Sequence, residues 1–264
     1  MKIASWNVNS LNVRLPHLEQ WLAAARPDVV ALQETKLEDA KFPDAALAAA
    51  GYRSVFSGQK TYNGVAILSR MDGPGGGAIE DVQVGIPDFE DEQKRVLAAT
   101  VNGVRVVDVY VVNGQSVGSD KYAYKLRWLD ALHAWLSGEI ARHPKLVLLG
   151  DFNIAPDERD VHDPVYWNEE RILTSRAERD ALDRLRALGL HDAFRALNPD
   201  DRSFSWWDYR QFAFRRNLGL RIDLTLVSDA LKSGCVAAGI DKEPRKWERP
   251  SDHAPAWVEI GDHE

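Results

Sequence analysis

Leu146-Val147-Leu148-Leu149-Gly150-Asp151-Phe152-Asn153 runs from four aliphatic residues straight into an acid and an amide. The apolar part reads as a buried strand. Two other runs end the same way: Ile3-Ala4-Ser5-Trp6 before Asn7, and Val29-Val30-Ala31-Leu32 before Gln33-Glu34. Asp223 stands at the head of a fourth run, Leu224-Thr225-Leu226-Val227, and Ser251-Asp252-His253 lies near the C-terminus. Carboxylates and amides do not belong in core strands unless something pairs with them. Gathered at strand ends they mark a site, and oxygen donors with one histidine suggest a hard metal ion and phosphate chemistry.

Outward from these runs, strand-like and helical stretches alternate. Strands are expected at 2–8, 29–33, 52–57, 64–69, 79–84, 95–101, 104–111, 145–150, 222–227, 235–241 and 255–260. Helices are expected at 15–25, 43–50, 121–141 and 178–188, the last closed by Gly189. Asn102-Gly103 is the tight turn of an antiparallel meander, and Gly73-Pro74-Gly75-Gly76-Gly77 is a turn between strands. Residues 154–176 form a long polar connection, of a length often used for function. Strands outnumber helices and many pair antiparallel, which predicts an α/β protein of two packed sheets flanked by helices. No linker-like shift in composition divides the 264 residues, so one domain is expected.

Bulk composition narrows the class. At 45% hydrophobic residues the chain can bury a substantial core. Its single cysteine, Cys235, rules out an intrachain disulfide and fits a reducing compartment. No apolar stretch approaches the roughly 18 residues of a membrane span, and Met1-Lys2-Ile3-Ala4 enters a strand with no signal-peptide architecture. A cytoplasmic protein with no membrane partner is expected, and monomer is the default. The dinucleotide fingerprint and the phosphate-loop motif are both absent, so a nucleotide cofactor has no support. A net charge of −7 argues against a general coat of positive charge but leaves room for a local basic face. Arg210, Arg215, Arg216 and Arg221 fall in a segment without acids, beside Trp206, Trp207 and Tyr209. Arginines interleaved with aromatics suit stacked bases or an unstacked sugar.

Individual residues carry chemistry in different degrees. Glu34, closing its strand, is placed to hold a divalent ion. Asp151 and Asn153 are two apart, so in an extended segment both side chains reach one small volume. The acid suits proton acceptance from water, and the amide suits orienting that water or an oxyanion. His253 is a candidate acid, base or phosphate ligand. A carboxylate on its other nitrogen would fix the tautomer, and Asp223 is the candidate partner, leaving Asp252 for the metal. Tyr110 and Asn113 at the end of a strand could donate to a phosphate. Leu220 and Ile222 flank Arg221 as possible walls of an apolar pocket.

In combination these residues resemble the exonuclease III family of abasic-site endonucleases and 3′ exonucleases, within the wider endonuclease/exonuclease/phosphatase group. The matching motifs are Ser5-Trp6-Asn7-Val8-Asn9, Leu32-Gln33-Glu34-Thr35-Lys36, Asn63-Gly64-Val65-Ala66-Ile67-Leu68-Ser69 and Tyr110 with Asn113-Gly114. They continue with Gly150-Asp151-Phe152-Asn153, Ser205-Trp206-Trp207-Asp208-Tyr209, Gly219-Leu220-Arg221-Ile222-Asp223 and Ser251-Asp252-His253-Ala254-Pro255. They stand in the family's order over essentially the whole chain. The resemblance implies a four-layer α/β sandwich with its site at one end of the sheets. It implies Mg²⁺ or Mn²⁺ held by Glu34, with Asn7 and Asp252 near it and a second position near Asp151 and Asn153 in some members. It implies that Asp151 activates water and Asn153 orients it. His253, paired with Asp223, would hold the scissile phosphate, with Tyr110 and Asn113 donating to it. Trp206, Leu220 and Ile222 would line an abasic pocket, and Arg210 would sit where a side chain intercalates. The implied substrate is duplex DNA with abasic sites or 3′ ends, acted on in base excision repair.

Val112 departs from the family, which often has proline between the tyrosine and the asparagine. Bulk from 154–176, which carries His162, Asp163, Tyr166 and Trp167, would exclude an abasic sugar and leave mainly a 3′-5′ exonuclease. Two other readings stay open: another phosphoesterase of the group, and a DNA-binding module without catalysis. Spacing does not decide whether Tyr110 or Asp151 acts as acid or base.

Overall fold

The run Leu146–Leu149 is buried on both faces: Val147 and Leu149 face a core between two sheets, while Leu146 and Leu148 face a core under helices. That double burial is why the run does not alternate with polar residues. The structure, a computed structural model, describes residues 1–261. In chain order the elements begin β1 (Lys2–Asn7), α1 (Leu11–Ala25), β2 (Val29–Gln33), α2 (Asp44–Ala49), β3 (Tyr52–Ser57) and β4 (Val65–Arg70). They continue β5 (Glu80–Val84), β6 (Val96–Val101), β7 (Val104–Tyr110), α3 (Asp120–Arg142), β8 (Leu146–Asp151), α4 (Arg176–Arg186), β9 (Leu190–Asp192) and α5 (Ala193–Leu197). The last are β10 (Trp206–Trp207), β11 (Gly219–Leu220), β12 (Asp223–Ser228), α6 (Asp229–Lys232), β13 (Cys235–Ile240) and β14 (Ala256–Ile260).

Two six-stranded sheets result, ordered β13-β14-β1-β2-β4-β3 and β5-β6-β7-β8-β12-β9, with β10-β11 as a separate ribbon. Each large sheet has one parallel pair at its centre, β1 with β2 and β7 with β8. Parallel neighbours need a crossover, and α1 and α3 supply them. Trp21 and Leu22 of α1 pack outside the first sheet, and Trp128, Leu132 and Leu136 of α3 outside the second. Ile3, Val29 and Ile67 meet Val106, Val147 and Leu149 between the sheets. The order is helix, sheet, sheet, helix, as expected.

Chain direction places the site. The C-terminal ends of β1, β2, β7 and β8 lie beside the starts of their antiparallel neighbours: Asp223 opposes Asp151, and Ser5 opposes Ala256. Gly150 is required here, because a Cβ would fall 1.9 Å from the Val109 carbonyl oxygen of the adjacent strand. Asn102 and Gly103, both at positive φ, make the expected hairpin turn.

Two expectations shift. Helix α1 starts at Leu11, ahead of Pro16, because Leu11 is buried and the amides of Ser10 and Leu11 bond the Glu34 and Thr35 carbonyls. Residues 190–192, 206–207 and 219–220 form short strands that the sequence did not announce.

Candidate active site

Strand ends from both sheets bring together the side chains that the motifs singled out. His253, just ahead of β14, donates from Nδ1 to Asp223 Oδ2 at 2.8 Å, and its Nε2 lies 3.6 Å from Asp151 Oδ2. Asn7 Nδ2 donates to Glu34 Oε1 and to Asp151 Oδ2, both at 2.9 Å. Glu34 Oε2 pairs with Lys36 at 3.0 Å. Glu34 and Lys36 are both at positive φ, and their turn packs on Gly64, where a Cβ would fall 2.1 Å from Thr35 Oγ1. That contact explains the Asn63-Gly64 motif.

The amides form a second group. Asn153, at positive φ, donates its backbone N–H to Asp151 Oδ1 (2.9 Å) and its Nδ2 to the Val111 carbonyl (3.0 Å). Asn113 Nδ2 donates to Asn153 Oδ1 at 3.2 Å. The Arg95 guanidinium lies over the Tyr110 ring, 4.6 Å from its centroid. Asp252 accepts from Trp206 Nε1 and Asn9 Nδ2, each at 3.0 Å.

Burial and charge set the protonation pattern. Burial works against a charged His253, but the carboxylates of Asp223 and Asp151 outweigh it and hold the imidazole well above its ordinary value. Burial lifts Asp151 above the usual carboxylate range, against the pull of His253, and Asp223 adds to the rise. Burial, with Glu34 and Asp151 close by, raises the Tyr110 phenol far enough to keep it a donor. Burial opposes ionisation of Glu34, yet Lys36 and the Asn7 amide hold it below its ordinary value.

The donors suit a hard divalent cation. Ligand atoms of Glu34, Asp151 and His253 lie within 4.8 Å of one another, and Asp223 Oδ1 is buried without a hydrogen-bond partner. Carboxylates crowded in a buried space favour a counter-cation. Asn7 presents its amide nitrogen to the carboxylates, so it bridges them, and it would have to turn its oxygen inward to serve as a ligand.

A cavity of about 790 Å³ opens from this centre, lined among others by Tyr110, Asn113, Trp206, Arg210, Ile222 and His253. Two expectations are corrected. Leu220 is fully buried and packs behind the cavity with Val161 and Ile222, without lining it. Arg221 is no part of a basic face: it is 1% exposed and bonds Asp160 and Asp192, each at 2.7 Å. Arg210 does stay at the rim, its guanidinium paired with Asp208 at 2.6 Å. From 154–176, His162, Asp163, Tyr166, Trp167 and Leu173 also line the cavity, and Trp167 and Leu173 share one apolar cluster with Trp206 and Ile222. Sequence reasoning passed over Leu173, whose one signal is an apolar residue in a polar loop, and over Arg95, which precedes a strand without any motif of its own.

Residues 4–253 match the Endonuclease/Exonuclease/phosphatase family. Over 272 aligned residues the chain is 35% identical to exodeoxyribonuclease III of Haemophilus influenzae, covering 98% of this chain and all of that protein. The solved structure of a Neisseria 3′ phosphatase bound to a product DNA hairpin is 49% identical with a TM-score of 0.95, covering 99% of this chain and 100% of that one. An AP endonuclease from Archaeoglobus fulgidus is 37% identical with a TM-score of 0.93, over 98% and 99% of the two chains.

Proposed function

Because the chain belongs to the endonuclease/exonuclease/phosphatase family, alongside exodeoxyribonuclease III, we propose that it is a DNA repair nuclease that hydrolyses phosphodiesters of duplex DNA beside abasic sites and at 3′ ends. The observation that carries this reading is buried His253, held between Asp223 and Asp151 and lining the cavity. A charged imidazole whose Nδ1 is committed to Asp223 has only Nε2–H to offer, and a phosphate oxygen is its natural acceptor.

In this reading Asp151 takes the proton of the attacking water. Its carboxylate faces the cavity beside Asn153 and His253, where an attacking water would stand. Asn153 and Asn113 steady the attacking water and the phosphate, and Tyr110 donates from its phenol. The leaving group is the 3′ oxygen, which ends as a 3′-hydroxyl. Glu34 and Asp151, with Asp252 nearby, would hold Mg²⁺ or Mn²⁺. Such an ion, when bound, supplies charge to the developing oxyanion. Trp206 and Ile222 wall the space for an extruded sugar, and Arg210 faces the duplex from the rim.

The wall from 154–176 favours one activity within this reading. Its histidine and aromatic bulk, with Leu173 held at a φ of 72°, narrows the side on which an abasic sugar would enter. We therefore place removal of nucleotides and blocking groups from 3′ ends ahead of abasic incision. The test is cleavage in Mg²⁺ of two duplexes, one with an internal abasic analogue and one with a recessed 3′ end, beside a Glu34→Ala control. Trimming of the 3′ end that is lost in the control supports the reading. Cleavage of neither duplex by the wild type overturns it.

A further inference from the structure

Lys125 lies in the middle of α3, has no exposed side-chain surface and is named by no motif. An ammonium has three donors, and here each goes to a different part of the chain. One reaches the Asn113 carbonyl at 3.1 Å, one the Asn153 carbonyl at 2.7 Å, and the third the carboxylate of Glu178. Glu178, equally buried, accepts also from the Leu173 and Ser175 amides, both at 3.1 Å, and from Ser175 Oγ at 2.6 Å. The pair is thus saturated with hydrogen bonds, the condition under which a buried ion pair is tolerable.

Its partners are not scattered. Asn113 and Asn153 are the two abutting amides of the site, on the loops that follow β7 and β8. Leu173 is part of the cavity wall. Asn153 sits at positive φ, a conformation that an asparagine holds only when its surroundings fix it. Lys125 fixes it through the carbonyl, while Asp151 holds the N–H. Gly114 lets the lysine stem pass, since a Cβ there would fall 3.1 Å from Lys125 Cδ.

We infer that Lys125 and Glu178 are positioning residues: the buried pair sets the Asn113 and Asn153 amides against the reacting phosphate and ties them to the wall at Leu173. The inference rests on the nuclease reading above, since it assigns those amides a substrate. It makes the shape of the cavity wall and the aim of the amides one coupled feature.

The test compares two buried pairs that share α3. Lys125→Met with Glu178→Gln removes the proposed brace. Arg105→Met with Glu139→Gln removes a pair of 4% and 3% exposure that touches no site residue. Both double variants are expected to lower Tm. Only the first is expected to lower kcat for 3′-end trimming, by tenfold or more with KM within threefold. Only the first should speed hydrogen exchange at the Asn153 and Gln115 amides, which bond Asp151 and Asn113 side chains. Glu178→Gln alone keeps the shape and should move both readouts in the same direction, which keeps the question answerable where the double variant does not fold. Equal kcat losses in the two pairs, or unchanged exchange at Asn153 and Gln115, overturn the inference. A wild type that trims no DNA overturns the nuclease reading instead, and the exchange comparison still judges the brace.

Discussion

At the scale of single residues, burial opposes a charge on His253, and the Asp223 and Asp151 carboxylates outweigh it; the proposed reaction depends on that charge. Asp223 is what tips that balance, so Asp223→Asn should lower kcat by about 10²–10⁴-fold, a typical range for a lost acid–base group. Single-turnover cleavage, with folding checked by circular dichroism, measures it, and a loss under threefold would remove the pair from the mechanism. Asp108 is a different case. Its Oδ1 accepts from Gln33 at 2.8 Å, while Oδ2 is buried with no partner. Burial raises its pKa far above the carboxylate range, against the Gln33 amide and the backbone at Ala66. A group whose folded pKa is raised contributes most at a pH below its unfolded value near ~4 and loses that contribution as pH climbs toward the folded value. Asp108→Asn imitates the protonated form and removes the cost of ionising or protonating a buried acid at neutral pH, so it should stabilise the protein there by about 1–3 kcal/mol, at ~1.4 kcal/mol per pH unit of linkage. Urea unfolding at pH 5 and pH 8 reads this directly: the variant's advantage should be larger at pH 8.

At the scale of elements, apolar runs that end in acids or amides gave away β1, β2 and β8, and the candidate site with them. Residues whose roles depend on distant partners stayed hidden. Arg221 has the composition of a surface loop, yet Asp160 and Asp192 enclose it and join the 154–176 segment to β9 and β12. Nothing in local spacing announces a pairing across 61 residues. The two-residue strands β10 and β11 are too short to show any period. The sequence likewise predicts α1 only from 15, because the turn before it, where Leu11 is buried against other elements, shows no local signal. Arg221→Ala leaves Asp192 buried without its charged partner and Asp160 with Arg195 alone, and should cost about 3–5 kcal/mol. Guanidinium unfolding measures it, and a loss below 1 kcal/mol would mean that the network contributes little.

At the scale of the molecule, the two sheets meet at the site and bring Glu34, Asp151 and Asp223 into one buried volume. A divalent ion that binds there favours the folded state as a whole. At a hundred times its Kd, linkage gives about 2.7 kcal/mol, which for a chain of this size corresponds to a Tm rise of about 5–10 °C. Differential scanning fluorimetry with Mg²⁺ or Mn²⁺, and again with a chelator, tests this. Glu34→Ala should abolish most of the shift, and a full shift in that variant would place the ion elsewhere.

The pairing of β1 with β14 has a temporal consequence. His253 and the strand that follows it are made 246 residues after Asn7. At roughly 5–20 residues per second of synthesis, β1 can pair with β2 early, but its other edge waits many seconds for β14. During that interval the chain lacks the histidine that pairs with Asp223, so the cluster of Glu34, Asp151 and His253 can assemble only once the last strand is made.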